Sequence, residues 1–196
     1  MSTAMEKYRD ACARFFADIY VGENRVLVFG EGPVHPRLML IGEAPGEQEA
    51  LAGRPFVGRA GKNLDGFLAA LGLARGQLYI TNAVKMRPTK VGPGGRVSNR
   101  PPTKEEIALF QPWLDKEIAL VKPQALVTLG NVALAALTGR ALAIGQAHGK
   151  WLPPDRHSAP LFPLYHPASV LYNPALGAAY AGDLAALAES LRTQAL

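Results

Sequence analysis

The sequence has a single cysteine, Cys12, among its 196 residues. One thiol cannot form an internal disulfide, and it cannot supply the several thiolates of a structural zinc site. Long apolar runs are also missing, since no stretch approaches the roughly 20 residues that a membrane-spanning helix needs. Residues 1–16 mix charged and apolar side chains and lack a signal-peptide pattern. These absences predict a cytoplasmic protein with no membrane partner.

The phosphate-binding spacings GxxxxGK[ST] and GxGxxG do not occur either, which weighs against a small-molecule nucleotide-binding protein. The net charge is +5 and the pI is near 9.5, which permits a nucleic-acid partner without requiring one. The basic residues stand in predicted loops, where they would follow a phosphate backbone around one opening. They are Arg54, Arg59, Lys62, Lys85, Arg87, Lys90, Arg96, Arg100, Lys104, Arg140 and Lys150.

Short apolar runs alternate with segments of helical periodicity, which indicates an α/β protein. The runs predict buried strands at residues 37–41, 78–81, 125–129 and 161–164. The periodic segments predict helices at residues 4–20, 62–73, 103–120 (with a kink or break at Pro112), 131–137 and 177–196. Residues 88–102, rich in proline and glycine, are predicted to be a loop. The pattern predicts a three-layer α/β/α sandwich around a central, mostly parallel four-stranded sheet, in one domain spanning residues 1–196.

Polar or glycine-rich segments follow three of the four predicted strands: residues 42–46 (GEAPG), Asn82, and His166 with Pro167. In parallel α/β sheets, ligands bind at the carboxyl ends of the strands. We therefore expect one site built from three distant parts of the chain.

Three segments carry a resemblance to a known family. GEAPG followed by GRPFVGRAG, within residues 42–61, resembles the first motif of the family 4 uracil-DNA glycosylases. TNAVKMRP at residues 81–88 is similar to their second segment, and YHPASVL at residues 165–171 to their final HPxxxL motif. The order, spacing and strand-end placement of the segments fit, and weaker similarity covers roughly residues 25–190.

The resemblance implies a monofunctional DNA-repair hydrolase that flips deoxyuridine out of single- or double-stranded DNA and hydrolyses its N-glycosidic bond. Uracil would be released and an abasic site left. Solubility and charge favour a monomer, the predicted enzyme uses no metal or cofactor, and its substrate would associate it with the nucleoid. Two alternatives stay open: a non-catalytic paralogue that binds uracil or abasic DNA, and a glycosylase with a preference shifted to hypoxanthine or xanthine.

Roles for individual residues follow from the same resemblance. Phe56 would stack on the uracil, and Asn82 would read its O4 and N3–H with a side-chain amide. His166 would donate a hydrogen bond to O2 as negative charge develops on the base. Backbone from Gly42, Ala44 and Gly46 would complete the pocket. The structural alternatives are a core phenylalanine at position 56 and a capping asparagine at position 82.

Water activation is assigned to Glu43, because Ala44 stands where many relatives outside family 4 carry an aspartate. Glu47 is a second candidate acid. The alternative for Glu43 is a carboxylate bonded to amides of its own loop. Val170 and Leu171 would form an apolar wedge that fills the gap left by the flipped base, or else pack in the core. Arg59, Lys62 and Asn131 would contact the DNA backbone.

The sequence departs from the family at its iron–sulfur site, which in family 4 has four cysteine ligands. Met86 and Phe110 stand at two of those positions, and at most Cys12 remains of the N-terminal pair. We therefore expect apolar side chains in place of the cluster. Two further departures are Ala50, where an acidic residue is usual, and Tyr172, where a basic residue is common.

Overall fold

The computed structural model describes residues 3–140 and 142–193. The strands, in chain order, are β1 (Leu38–Gly42), β2 (Tyr79–Asn82), β3 (Thr89–Val91), β4 (Val97–Asn99), β5 (Ala125–Leu129) and β6 (Leu161–Leu164). The helices are α1 (Thr3–Ile19), α2 (Glu47–Ala52), α3 (Arg59–Ala70), α4 (Lys104–Val121), α5 (Asn131–Thr138), α6 (Ile144–Ala147), α7 (Pro167–Tyr172) and α8 (Gly177–Thr193).

The central sheet has the strand order β2-β1-β5-β6, and all of its pairings are parallel. Every residue of β1 is buried, as expected for a parallel strand covered on both faces. Successive side chains point to opposite faces, so Met39 and Ile41 enter one apolar cluster while Leu38 and Leu40 enter another. The first cluster includes residues of α4 and α5, and the second includes residues of α3 and α8. The predicted α/β/α layering is confirmed.

Two local predictions were wrong. Residues 88–102 contain an antiparallel hairpin of β3 and β4 in place of an irregular loop. Helix α4 continues through Pro112, so the break that the sequence allowed there, as the alternative to a kink, does not occur. A capping box between Thr103 and Glu106 fixes its beginning, and buried Phe110 and Leu114 hold it on either side of the proline. These contacts offset the one backbone hydrogen bond that proline cannot donate.

A third apolar cluster joins α1 to α4 beside the loop that follows β1. Phe16 and Phe110 stack with ring centroids 4.1 Å apart, and buried Cys12 and Met86 pack with them. Ala44 lies against the same cluster. Burial raises the pKa of the Cys12 thiol to about 12, so this thiol stays protonated at neutral pH.

Within the described ranges, no helix is both long and apolar enough to cross a membrane. That residues 1–196 form one domain stays a prediction.

Candidate functional site

The carboxyl ends of β1, β2 and β6 meet at one edge of the sheet, as the sequence predicted. A cavity of about 330 Å³ lies there, within the size range of small-molecule sites. Its lining includes Ala44, Gly46, Phe56, Asn82, Asn99 and His166. The three segments singled out in the sequence therefore contribute to a single concave surface.

Gly42 lies directly against two of these side chains. A Cβ atom at this position would lie 2.5 Å from both the Asn82 Oδ1 and the Phe56 Cζ. No larger residue fits without moving one of them. Glycine at the end of β1 thus lets the aromatic ring and the amide approach the same point.

The backbone of Phe56 is in the left-handed region, with φ of 54°. Such a conformation costs on the order of 1–3 kcal/mol in a bulky residue and persists only where its surroundings hold it. Arg75 supplies one restraint, because its guanidinium donates hydrogen bonds to the carbonyl oxygens of Phe56 (2.9 Å) and Pro55. Glu31 in turn pairs with Arg75 at 3.2 Å.

Glu49 supplies the second restraint. Its Oε1 accepts hydrogen bonds from the amides of Val57 (3.0 Å) and Gly58 (2.7 Å), and its Oε2 accepts one from Gly46 (3.1 Å). One buried carboxylate therefore ties the two halves of the glycine-rich loop together. The structure gives this self-bonding role to Glu49, whereas the alternative weighed in the sequence had assigned it to Glu43.

Replacing Glu49 with alanine is expected to lower the free energy of unfolding by about 1–3 kcal/mol, because three partly buried amides lose a charged acceptor. Urea unfolding measures this loss, and amide hydrogen exchange at Val57 and Gly58 should become faster. The matched control is Glu47→Ala, the removal of an exposed carboxylate from the same helix, with an expected effect within about 0.5 kcal/mol. Equal effects of the two substitutions would refute the restraint.

Asn82 ends β2 with its side chain almost wholly buried against the cavity. No group in the described part of the chain hydrogen-bonds to its side-chain amide. Its backbone carbonyl accepts a hydrogen bond of 2.6 Å from the Lys85 ammonium. The backbone of Asn82 is thus held in place, and its side-chain amide is left able to pair with a ligand.

Lys85 belongs to a buried polar network and not to the cationic surface that the sequence suggested. Its Nζ lies 2.5 Å from Glu117 Oε2 and 2.6 Å from Thr81 Oγ1, and both ionic side chains are 0% exposed. Tyr79 and Thr81 donate further hydrogen bonds to the Glu117 carboxylate, at 2.9 and 3.1 Å. Lys85 is buried and not exposed because it pairs with Glu117, which lies far away in the sequence.

His166 follows β6 and caps α7. Its Nδ1 accepts a hydrogen bond from the Ala168 amide (3.2 Å), so the proton of the neutral ring is carried on Nε2. Burial lowers the pKa of His166, which favours that neutral form. The ring lies 6.4 Å from Phe56, centroid to centroid, at an interplanar angle of 26°. The site therefore holds one imidazole with an N–H donor to offer.

The two candidate acids differ in their surroundings. Glu43 is half-buried, and desolvation raises the pKa of its carboxyl group. It lies beside the cavity, because its neighbour Ala44 is in the lining and its neighbour Gly42 lies against Asn82 and Phe56, but its own side chain is not in the lining. Glu47 lies on the rim, exposed, and pairs with Arg87 at 3.5 Å.

Of the residues predicted to contact DNA, one lines the cavity and the others whose side chains are described lie outside its lining. Arg59 lines the cavity, and Lys62 is exposed one turn further along α3. The Asn131 side-chain oxygen accepts a hydrogen bond from the Ile144 amide (2.8 Å), so its side chain also has a structural task. Val170 is half-buried on α7. Leu171 is on that helix, but its side chain lies outside the described residues.

Three contributors were missed in the sequence, Glu49, Arg75 and Asn99, and Tyr172 was recognised only as a departure from the family pattern. Tyr172, 78% exposed, lies on the rim of the cavity, and Asn99 lines it from β4 while its Oδ1 accepts a hydrogen bond from Arg87 (2.7 Å). Only Asn99 had a detectable signal, an asparagine at the end of a cationic loop. Within residues 3–140 and 142–193, no three histidine, cysteine or acidic side chains are grouped in a way that could hold a metal ion.

A family model and several known proteins match this chain over most of its length. The family model of the uracil DNA glycosylase superfamily matches residues 29–188. The type-4 uracil-DNA glycosylase of Pyrobaculum aerophilum is 41% identical over 163 residues, which are 80% of this chain and 79% of that protein. The type-4 enzyme of Sulfurisphaera tokodaii is 40% identical over 155 residues, which are 75% of this chain and 66% of its own.

A solved structure, that of SMUG2 from Pedobacter heparinus, shares the fold with a TM-score of 0.57 at 15% identity. The match covers 94% of this chain and 83% of that one. The match of the family model to most of the chain, together with the identity to two type-4 relatives, settles the family: the chain belongs to the uracil-DNA glycosylase superfamily.

Proposed function

We propose that this protein is a uracil-DNA glycosylase that accepts a deoxyuridine flipped out of DNA and hydrolyses its N-glycosidic bond. Uracil is released and an abasic site remains. The observation that carries the proposal is the buried, unpaired amide of Asn82, placed beside Phe56 and His166 at one cavity. The identity of 41% to a type-4 uracil-DNA glycosylase supports the same conclusion.

Base recognition follows from the chemistry of an amide. Its NH₂ group donates to uracil O4 and its oxygen accepts from N3–H. Cytosine presents the reversed pattern, so its entry would leave buried groups unpaired, at a cost of about 1–3 kcal/mol for each group. The Phe56 ring stacks on the base. Gly42, Ala44 and Gly46 leave room for the base between the ring and the amide.

Bond cleavage places negative charge on the uracil as the N1–C1′ bond breaks. The Nε2–H of neutral His166 donates to O2 and stabilises that charge, while water attacks the cationic sugar. Glu43 accepts the proton of the water, which balances the reaction. Glu43 is favoured over Glu47 because desolvation has raised its pKa and because Glu47 already pairs with Arg87.

DNA is the partner, through the deoxyuridine and its flanking phosphates. Arg59 and Lys62 are exposed at the opening and lack an ion-pair partner among the described residues, as cations that bind phosphates would. Val170 and Leu171 act as the wedge. The proposed enzyme is a monomer, is located at the nucleoid and contacts the DNA backbone through Asn131 as well.

An iron–sulfur cluster does not fit this chain. Such clusters need thiolate ligands, and the only cysteine carries a thiol whose pKa is raised to about 12. The Phe16–Phe110 stack and Met86 fill the space beside it. The proposed enzyme therefore holds this region together by apolar packing.

The test is a labelled oligonucleotide with one deoxyuridine, treated with the protein and then with alkali, beside matched thymine and hypoxanthine substrates. We expect cleavage at uracil alone. Asn82→Ala should lower kcat/KM by about 100-fold, because two hydrogen bonds of roughly 1–1.5 kcal/mol each are lost. Asn24→Ala, an exposed asparagine in another loop, is the control.

Three outcomes would count against the proposal. Cleavage at hypoxanthine in preference to uracil would shift the base preference. Tight binding of the deoxyuridine strand with no release of base would leave a non-catalytic paralogue. Equal activity of Asn82→Ala and Asn24→Ala would remove the amide from recognition.

A further inference from the structure

The hairpin of β3 and β4 stands out from the body of the protein. A Cβ atom added at Gly94 or Gly95, in its turn, would meet no atom within 4 Å. The base, by contrast, is fastened: Arg100 donates to both carboxylate oxygens of Glu106, at 2.6 and 2.7 Å, and to the Thr89 carbonyl at 3.0 Å. The hairpin is therefore anchored at its base and open at its turn, and it projects into solvent as an arm.

One face of this arm continues the wall of the cavity. Asn99, at the end of β4, contributes its side chain to the lining. Side chains two residues apart in a strand share a face, so Val97 lies on the same face as Asn99, together with its cross-strand partner Val91. Both valines are exposed, by 51% and 72%. Val91 and Val97 thus extend the face of the arm that begins at the cavity with Asn99.

The charge of the arm is of one sign. Residues 88–102 contain Lys90, Arg96 and Arg100 and no aspartate or glutamate. Arg100 is used by Glu106 at the base, whereas Lys90 and Arg96 are exposed and have no ion-pair partner in the described part of the chain. Lys90 and Arg96 alternate with Val91 and Val97 along the hairpin, so their side chains leave from its opposite face and flank the apolar pair around the edges of the two-stranded arm. Cations that flank an exposed apolar pair match a strand of DNA, which offers phosphates next to sugars and base edges.

We propose that the β3–β4 hairpin is a DNA-contacting arm that seats the strand beside the flipped nucleotide. The strand lies along the valine face, where Val91 with Val97 packs against the sugars and base edges next to the vacated position, and the long side chains of Lys90 and Arg96 reach phosphates around the edges of the arm. The arm adds affinity and takes no part in the chemistry. This inference rests on the proposed function only in its choice of DNA as the partner.

The test compares two double variants that remove the same charge. Lys90→Ala with Arg96→Ala changes the arm, and Lys7→Ala with Lys116→Ala removes two exposed lysines from α1 and α4. The probe is a 30-nucleotide strand with one tetrahydrofuran abasic analogue, single-stranded and as a duplex, with Kd read by fluorescence anisotropy between 50 and 200 mM salt.

We expect the arm variant to raise Kd by about tenfold at 100 mM salt and to reduce the slope of log Kd against log salt by about 1–2, the value for two phosphate contacts. Its kcat at saturating deoxyuridine substrate should equal that of the wild type. Val91→Ser with Val97→Ser should raise Kd without changing the slope.

An arm variant that matches the control pair in both Kd and slope would overturn the proposal. Failure of the proposed function has another signature, since the wild type would then release no uracil while the slopes of the two double variants could still differ. The two ideas therefore fail separately.

Discussion

Replacing His166 with alanine is expected to lower kcat by about 10²- to 10³-fold, which is the usual effect of deleting one donor that stabilises a developing anion. KM should change little, because the uracil O2 carries that charge only in the transition state. Single-turnover kinetics on a deoxyuridine strand measure the change. This prediction rests on the structure of His166, a buried neutral ring that carries its proton on Nε2 at the cavity.

His166→Asn is the companion variant, because His166 also caps α7. Asparagine is among the best capping residues, so this variant should keep the helix and the thermal stability while losing the activity. Activity within threefold of the wild type in the alanine variant would remove the histidine from the mechanism. Full recovery in the asparagine variant would reduce its role to capping.

The pH profile adds a readout that belongs to the same residue. Burial lowers the pKa of His166 from the ordinary value of about 6.5, so the folded protein binds fewer protons than the unfolded chain in the window between the two values. The contribution of neutral His166 to the free energy of unfolding is therefore fully present above about pH 6.5, and it is lost as the pH falls through the pKa of His166 in the folded protein. The rate should follow the same course, and Glu43→Gln should leave the histidine step in place.

Lys85→Met is expected to have the largest effect on stability, about 3–5 kcal/mol. It leaves the Glu117 carboxylate buried without its cation, and removing one partner of a buried pair is strongly destabilising. Chemical unfolding in urea measures the loss. Removing the exposed pair of Arg192 and Glu189 by the same kind of substitution should cost at most about 1 kcal/mol.

The double variant Lys85→Met with Glu117→Leu decides whether the pair itself is responsible. Because no buried charge remains, the double variant should be more stable than Lys85→Met alone. A loss below about 1 kcal/mol in the single variant would contradict the buried network. Where the single variant folds, its kcat/KM should fall as well, since Lys85 holds the backbone carbonyl of Asn82.

The sheet was accessible from sequence because its signals are local. Each buried strand is a short apolar run, and each is followed by the polar or glycine residues that a parallel sheet places at its binding edge. The positions of Gly42, Asn82 and His166 at that edge follow from this pattern alone. Their chemical roles came from the family resemblance.

The supporting residues were not accessible, because their meaning depends on partners far away in the chain. Lys85 has the composition of a surface cation, and only Glu117, 32 residues later, makes it a buried one. Arg75 reaches Phe56 across 19 residues. Strands β3 and β4 have three residues each, which is too short for a periodic signal, and the glycines and proline between them suggested a loop.

Helix α7 starts at the histidine that caps it and ends at Tyr172, whose ring is exposed on the cavity rim. Six residues of α-helix form a rod about 9 Å long, too short to bend appreciably. The two ends are therefore rigidly joined, so a ligand in contact with the Tyr172 ring would bear on the same helix that His166 caps.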